Sequence, residues 1–296
     1  MAKKTIRNRF RGYVQGVWTL LSNGYLLGFV NGHIWQGKSK SVCVPGLNCY
    51  SCPGAWGACP IGSLQAELAA RNLKFPFYVT GFLLASGALF GRFVCGFLCP
   101  FGWVQDLLYK IKTPKIKSFK GDRVLRYLKY VVLLVLVILL PSLIRNEAGT
   151  GTPWFCKLVC PSGTLFAGIP LLALNESLRS VAGFLFSWKM GILVVVLLLS
   201  VFLYRPFCKY LCPLGATYAL FNRASFYRLR LEEEKCIHCG ECKRVCLMGV
   251  DASKKPDDME CIRCGDCVKN CPTNALSAGF CVRKAPAKKD SPTEAK

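Results

Sequence analysis

The chain has 296 residues, enough for one membrane domain and one small module. Its apolar residues, 52% of the total, gather in charge-free blocks such as Tyr130 to Leu140 that suit lipid. The formal charge of +23 lies mainly in short segments beside those blocks, with no base-stacking platform among them, so it reads as membrane topology and nucleic acid is excluded as a partner. Nineteen cysteines at metal-ligand spacings exclude the disulfide framework of a small secreted protein.

Residues 1–32 join a basic start to an apolar stretch with no small-residue cleavage site after it, which reads as a membrane anchor. Four apolar stretches, near residues 13–32, 75–91, 127–144 and 184–204, reach or approach the ~20 residues that cross ~30 Å of hydrocarbon. Gln15, Asn23 and Asn31 interrupt the first, for which an interfacial helix is the alternative. Lys and Arg number 5, 8 and 6 in segments 1–13, 92–126 and 205–235, against 4 and 3 in segments 33–74 and 145–183. That bias puts both termini on the cytoplasmic side of a multi-pass cell-membrane protein. Lys189, at the start of the fourth stretch, is expected to snorkel to the interface.

A duplication underlies the membrane part. Arg92-Phe-Val-Cys95-Gly-Phe-Leu-Cys99-Pro100-Phe-Gly102 matches Arg205-Pro-Phe-Cys208-Lys-Tyr-Leu-Cys212-Pro213-Leu-Gly215 at an offset of 113. Cys59-Pro60-Ile-Gly62 and Cys160-Pro161-Ser-Gly163 pair in the same way. Cys95 and Cys99, like Cys208 and Cys212, are four residues apart and so share a helical face, with the proline suited to the first turn of the next helix. Together they make four thiols for a [4Fe–4S] cluster bridging the copies at the cytoplasmic face. The outer segments offer Cys59, Cys156 and Cys160, with Cys52 chosen as the fourth ligand of a second cluster and Cys49 as its rival; Cys43 is a further candidate. The pair left over can form a disulfide on an oxidising face. The competing reading of all these cysteines is as buried small hydrophobes.

Past residue 226 charged residues interleave with cysteines. Cys236-x2-Cys239-x2-Cys242-x3-Cys246 is followed by Cys261-x2-Cys264-x2-Cys267-x3-Cys271-Pro272, the bacterial two-cluster pattern in which the fourth cysteine of each run ligates the other cluster. The expected sets are Cys236, Cys239, Cys242 with Cys271, and Cys261, Cys264, Cys267 with Cys246. Leu247 stands where the pattern has proline after Cys246. Zinc is the alternative metal, disfavoured by two complete x2-x2-x3 spacings. His238 lies inside a cluster loop, where it reads as an exposed residue rather than one that tunes the cluster. Cys281 stands alone, and with His33 and His238 as its histidines the chain lacks axial pairs for a membrane di-haem. No catalytic base, nucleophile or nucleotide motif is legible.

The expected architecture is an α-helical membrane protein with about four transmembrane helices in two repeats (1–225), a small α+β two-cluster ferredoxin domain (226–281) and a disordered tail (282–296). The spans, Cys95-x3-Cys99-Pro100, Cys208-x3-Cys212-Pro213 and the doubled module resemble the membrane polyferredoxins of the NapH type, related to the membrane part of NosR and to the CcoG assembly factors. The resemblance covers nearly the whole chain. It implies electron transfer between a quinol pool or soluble ferredoxin and a protein redox partner such as a reductase or dehydrogenase complex. The segment Cys43-Val-Pro-Gly-Leu-Asn-Cys49-Tyr-Ser-Cys52-Pro departs from NapH and is similar to longer 4Fe–4S binding proteins common in anaerobes. A maturation or sensing factor for another metalloenzyme is the alternative function.

Overall fold

The computed structural model describes residues 9–71, 76–116, 121–147, 149–180 and 182–280. The expected tail and Cys281 lie outside them. The protein is mostly helical, and the longer helices are α1 (Arg9–Ser22), α2 (Pro60–Leu68), α3 (Phe77–Phe90), α4 (Pro100–Leu108), α5 (Asp122–Leu143), α6 (Pro161–Leu174), α7 (Phe184–Phe202) and α8 (Pro213–Phe221).

Of these, α5 and α7 are long and apolar enough to cross a membrane, while α3 and α6 are apolar but shorter. At 1.5 Å per residue, the 14 residues of α3 rise about 21 Å. The single stretch expected over 13–32 is broken. Asn23 ends α1 by donating its side-chain amide to the Thr19 carbonyl at 3.0 Å, Gly24 follows, and the chain restarts as the short helix Leu26–Asn31. The apolar helix α6 was not among the expected stretches. Within α5 the segment Leu133–Leu139 is π-wound, and within α6 so is Thr164–Gly168. Each wide turn ends two residues before a proline, Pro141 and Pro170, which brings no N–H to close an ordinary turn.

Strand β1 (Tyr227–Leu231) pairs antiparallel with β2 (Leu276–Phe280), with Leu229 opposite Ala278, and so ties the two ends of the cysteine-rich module together. Both of its loops share one backbone device. His238 and Arg263 take positive φ (51° and 53°), and Gly240 and Gly265 follow at 72° and 80°, so each chain curls tightly before a short helix. Glycine adopts that left-handed conformation without strain.

The module is docked, not tethered. Asn222 donates to the Asp258 and Cys261 carbonyls at 2.9 and 2.8 Å, and Arg263 donates to the Phe90 carbonyl at 3.0 Å. Gly96 lies under the module, where a Cβ would stand 2.5 Å from the Ile262 carbonyl oxygen. Its backbone is helical, so alanine would favour it locally by about 1 kcal/mol. Gly96→Ala is nevertheless expected to lower the melting temperature, because overpacking against a carbonyl costs about 1–3 kcal/mol. A thermal melt of the detergent-solubilised protein checks this, and a raised Tm would show that the module does not rest on Gly96.

Candidate metal centres

In the module, Cys236, Cys239, Cys242 and Cys271 line one cavity, and Cys246, Cys261, Cys264 and Cys267 line a second, whose wall Cys242 also reaches. Cys271 thus stands with the cysteines of the first run and Cys246 with those of the second. Despite Leu247, the Cys246 sulfur accepts from the Val250 N–H at 3.3 Å. His238 is exposed, with Nδ1 3.9 Å from the Cys236 sulfur. Burial pushes the Cys261 and Cys267 thiols up to about 12. Alone they would keep their protons at neutral pH; coordination to iron would remove them.

The second centre joins the two halves of the helical part. Cys95 sits on the short helix Phe93–Phe97 and Cys208 on Pro206–Tyr210, while Cys99 and Cys212 are the residues just before α4 and α8. All four are at most 6% exposed. They lie within electrostatic reach of one another: burial raises Cys208 to about 12, with Cys99 and Cys95 adding to it against Arg205, and Cys212 is raised by burial and then by Cys208, Cys95 and Cys99.

The Cys-Pro-x-Gly motif has a local explanation. The Cys99 and Cys212 sulfurs accept from Gly102 N and Gly215 N at 3.4 and 3.3 Å, capping each helix, and the proline occupies the first-turn position that needs no donor. The glycines also leave room for an arginine. A Cβ at Gly102 would meet Arg205 Nη1 at 3.2 Å, and one at Gly215 would meet Arg92 Nη2 at 3.6 Å.

Those arginines, three residues before Cys95 and Cys208, reach across. Arg92 donates to the Cys208 carbonyl at 3.2 Å and Arg205 donates to the Cys95 carbonyl. Arg92 is paired with Glu260 of the module, which also meets Lys129 of α5. Arg205 grips Asp106 with both arms at 2.8 and 2.6 Å, joined by Arg11. Burial works against the charged carboxylates, but Arg92 and Lys129 hold Glu260 below its ordinary value, and Arg205 and Arg11 do the same for Asp106. Neither the arginines nor the carboxylates stood out in the sequence as site residues.

The outer cysteines separate into two groups. Cys49, Cys59, Cys156 and Cys160 line one cavity, which Lys157 and Lys189 share. Lys189 therefore lines this cavity, where snorkelling had been expected. A Cβ at Gly163 would lie 3.6 Å from the Cys49 sulfur and 4.0 Å from that of Cys160. Cys52, the expected fourth member, is fully buried and turns its thiol to Asn23 Oδ1 at 3.5 Å. The geometry favours Cys49 in its place, because the turn Cys49–Cys52 brings the first of its cysteines to Gly163. Cys43 is buried on a bridge to Ala58 beside Ser63, and neither it nor Cys52 is in a disulfide. Burial raises Cys59 to about 12 and Cys160 to about 11.

A glutamine serves each helical-part centre. Gln65 Nε2 donates to the Cys156 sulfur at 3.3 Å, and Gln105 Nε2 donates to the Cys208 sulfur at 3.1 Å. Each lies six residues after a cysteine of Cys-Pro-x-Gly, Cys59 or Cys99, a spacing that could have been found in the sequence. Among the described residues no three His, Cys, Asp or Glu side chains converge tightly enough to hold a single ion. The module and outer thiols instead line cavities, as an iron–sulfur cubane requires.

A 4Fe–4S binding domain model matches residues 75–118 and 185–231, around the two arginine–cysteine loops, and a second 4Fe–4S binding domain model matches residues 255–277. Uncharacterized protein MJ0749 of Methanocaldococcus jannaschii is 33% identical over 63% of this chain and 64% of its own length. Uncharacterized protein MJ0750 of the same organism is 31% identical over 66% of this chain and 75% of its own. The regulatory protein NosR of Pseudomonas aeruginosa is 30% identical over 57% of this chain, which spans only 22% of NosR. No solved structure matches. With its 4Fe–4S binding domains, its clustered cysteines and these relatives, the chain belongs to the NosR-like, polyferredoxin-like family of 4Fe–4S iron–sulfur proteins.

Proposed function

We propose that this protein is a multi-pass membrane electron carrier that relays electrons through four [4Fe–4S] centres between a cytoplasmic donor or acceptor and a partner redox enzyme. The ligand sets are Cys236, Cys239, Cys242, Cys271; Cys261, Cys264, Cys267, Cys246; Cys95, Cys99, Cys208, Cys212; and Cys49, Cys59, Cys156, Cys160. Residues 1–225 form the membrane part and 226–281 the ferredoxin domain, with both termini cytoplasmic by the Lys and Arg bias.

The observation that carries the reading is the continuity of the thiol-lined sites. Cys242 lies in the walls of both module cavities. The Ile262 carbonyl meets Gly96, next to Cys95. Gly46 packs on Leu98 and Cys99, and Cys49 follows three residues later, a reach of at most ~11 Å for extended chain. Tyr218, fully buried, donates to the Pro45 carbonyl at 3.0 Å and lies within electrostatic reach of Cys59, Cys95 and Cys99. A bound cluster supplies a one-electron site whose potential follows charge, hydrogen bonding and exposure. The chain's part is to hold the thiolates, exclude water and keep consecutive sites close. Buried Arg92 and Arg205 offset negative charge at the inner one.

Membrane placement is supported by α5 and α7, where only 22% and 17% of the apolar window is buried; Val131, Leu134, Val194 and Leu198 face outward. A soluble core helix would bury most of that surface. Iron and acid-labile sulfide counting on anaerobically purified protein tests the relay. About sixteen irons per chain are expected, four per cluster, and about eight would confine the clusters to the ferredoxin module.

A further inference from the structure

The two glutamines beside the helical-part centres make the same three contacts. Gln65 Nε2 donates to the Ile61 carbonyl at 3.2 Å as well as to the Cys156 sulfur, and its Oε1 accepts from Phe155 N–H at 3.0 Å. Gln105 Nε2 donates to the Phe101 carbonyl at 3.4 Å as well as to the Cys208 sulfur, and its Oε1 accepts from Phe207 N–H at 3.2 Å. Both side chains are fully buried.

This pattern fixes which way each amide faces. A backbone N–H has no use for a second donor, so the oxygen end must face Phe155 or Phe207. The nitrogen end is then left facing the sulfur. The contact is therefore N–H to sulfur, and the residue it serves, Cys156 or Cys208, is the one right after the phenylalanine that the same amide holds. A packing role alone would not call for a donor on the sulfur at two separate centres.

We infer that Gln65 and Gln105 are matched positioning residues that raise the reduction potential of the outer and inner clusters, each by hydrogen-bonding one ligand sulfur. The inference rests on the cluster assignment proposed above. Reduction adds one electron and makes and breaks no bond. The added negative charge spreads onto the ligand sulfurs, so a donor aimed at one of them binds the reduced state more strongly. Partners in this outer position orient the ligand and tune the metal.

The test is a potentiometric titration of the anaerobically purified full chain followed by EPR, with iron counted in every sample. Gln105→Met, which keeps the side-chain volume, is expected to weaken reduction of the inner cluster about tenfold, the scale of one charge-assisted hydrogen bond. For a one-electron couple that is a fall of about 59 mV. Gln65→Met is expected to move a different signal by a similar amount, and neither variant moves the other three. Should a methionine variant load poorly, Gln105→Glu and Gln65→Glu keep the acceptor for the phenylalanine N–H while removing the amide donor. Their potentials are expected to fall as pH rises and the new carboxyl ionises. Fully loaded variants with unshifted potentials, or a uniform shift of every signal, would overturn the inference. So would loss of one cluster in both variants of a site, which would make that glutamine purely structural. An iron count of about eight in the unmutated protein would overturn the cluster assignment, and the inference with it.

Discussion

Cys49→Ser is expected to remove one cluster, about four irons per chain, while Cys52→Ser leaves the count unchanged. The two cysteines share one tight turn, in which Cys52 N–H donates to the Cys49 carbonyl at 3.0 Å, yet their thiols part company. Cys49 joins Cys59, Cys156 and Cys160 around the cavity, close to the Gly163 backbone that carries Cys160. Cys52 is buried against Asn23 at the end of α1. Serine at 52 keeps a hydrogen-bonding group for Asn23, so that variant should fold and load. Serine at 49 replaces a soft thiolate, the donor iron–sulfur clusters take, with a hydroxyl. Iron, sulfide and EPR spin counts on both variants decide the matter, and loss of four irons from Cys52→Ser instead would reverse the assignment.

Glu260→Gln is expected to destabilise the protein by about 3–5 kcal/mol, because it removes the carboxylate paired with buried Arg92 and Lys129. The side chains of Arg92 and Lys129 are 0% exposed and that of Glu260 is 9% exposed, so water offers little compensation. A second change, Lys129→Met, is expected to recover part of the loss, since it removes one of the stranded charges, and the double-mutant cycle isolates the pair. The same network sets an acid limit. Arg92 and Lys129 outweigh burial and keep the folded-state pKa of Glu260 below its ordinary value of about 4.5. Its contribution is therefore fully present above that value and is lost as pH falls through the lowered one. Thermal melts as a function of pH check both statements. A loss below about 1 kcal/mol would mean that the site behaves as a solvent-screened surface pair.

Much of the proposed ligand assignment rests on spacing, because cluster ligands carried on one continuous loop must keep their intervals. The runs from Cys236 and from Cys261, and the two Cys-x3-Cys-Pro loops, are of this kind. Spacing leaves the proposed fourth outer ligand open, since Cys49 and Cys52 lie in the same turn and only the direction of each thiol separates them. Hydropathy found α5 and α7 but ran through Asn23 and Gly24, where a side-chain amide and a flexible residue end α1. It also passed over α6, whose apolar residues lie in a segment expected to be an outer loop. Gln65 and Gln105 share one signal in the sequence, a place six residues after a cysteine of Cys-Pro-x-Gly, but their cysteine and phenylalanine partners come from distant parts of the chain and show only in the fold.

The crossed arginines bear on how such a protein is made. Arg92 fastens the loop of Cys208, and Arg205 fastens the loop of Cys95, so neither half can finish its own cysteine nest. The first half leaves the ribosome well before the second exists. On the proposed ligand set, the inner cluster has all four of its thiols only once both halves have been made and have met, so a chain cut short after its first half is expected to lack that cluster.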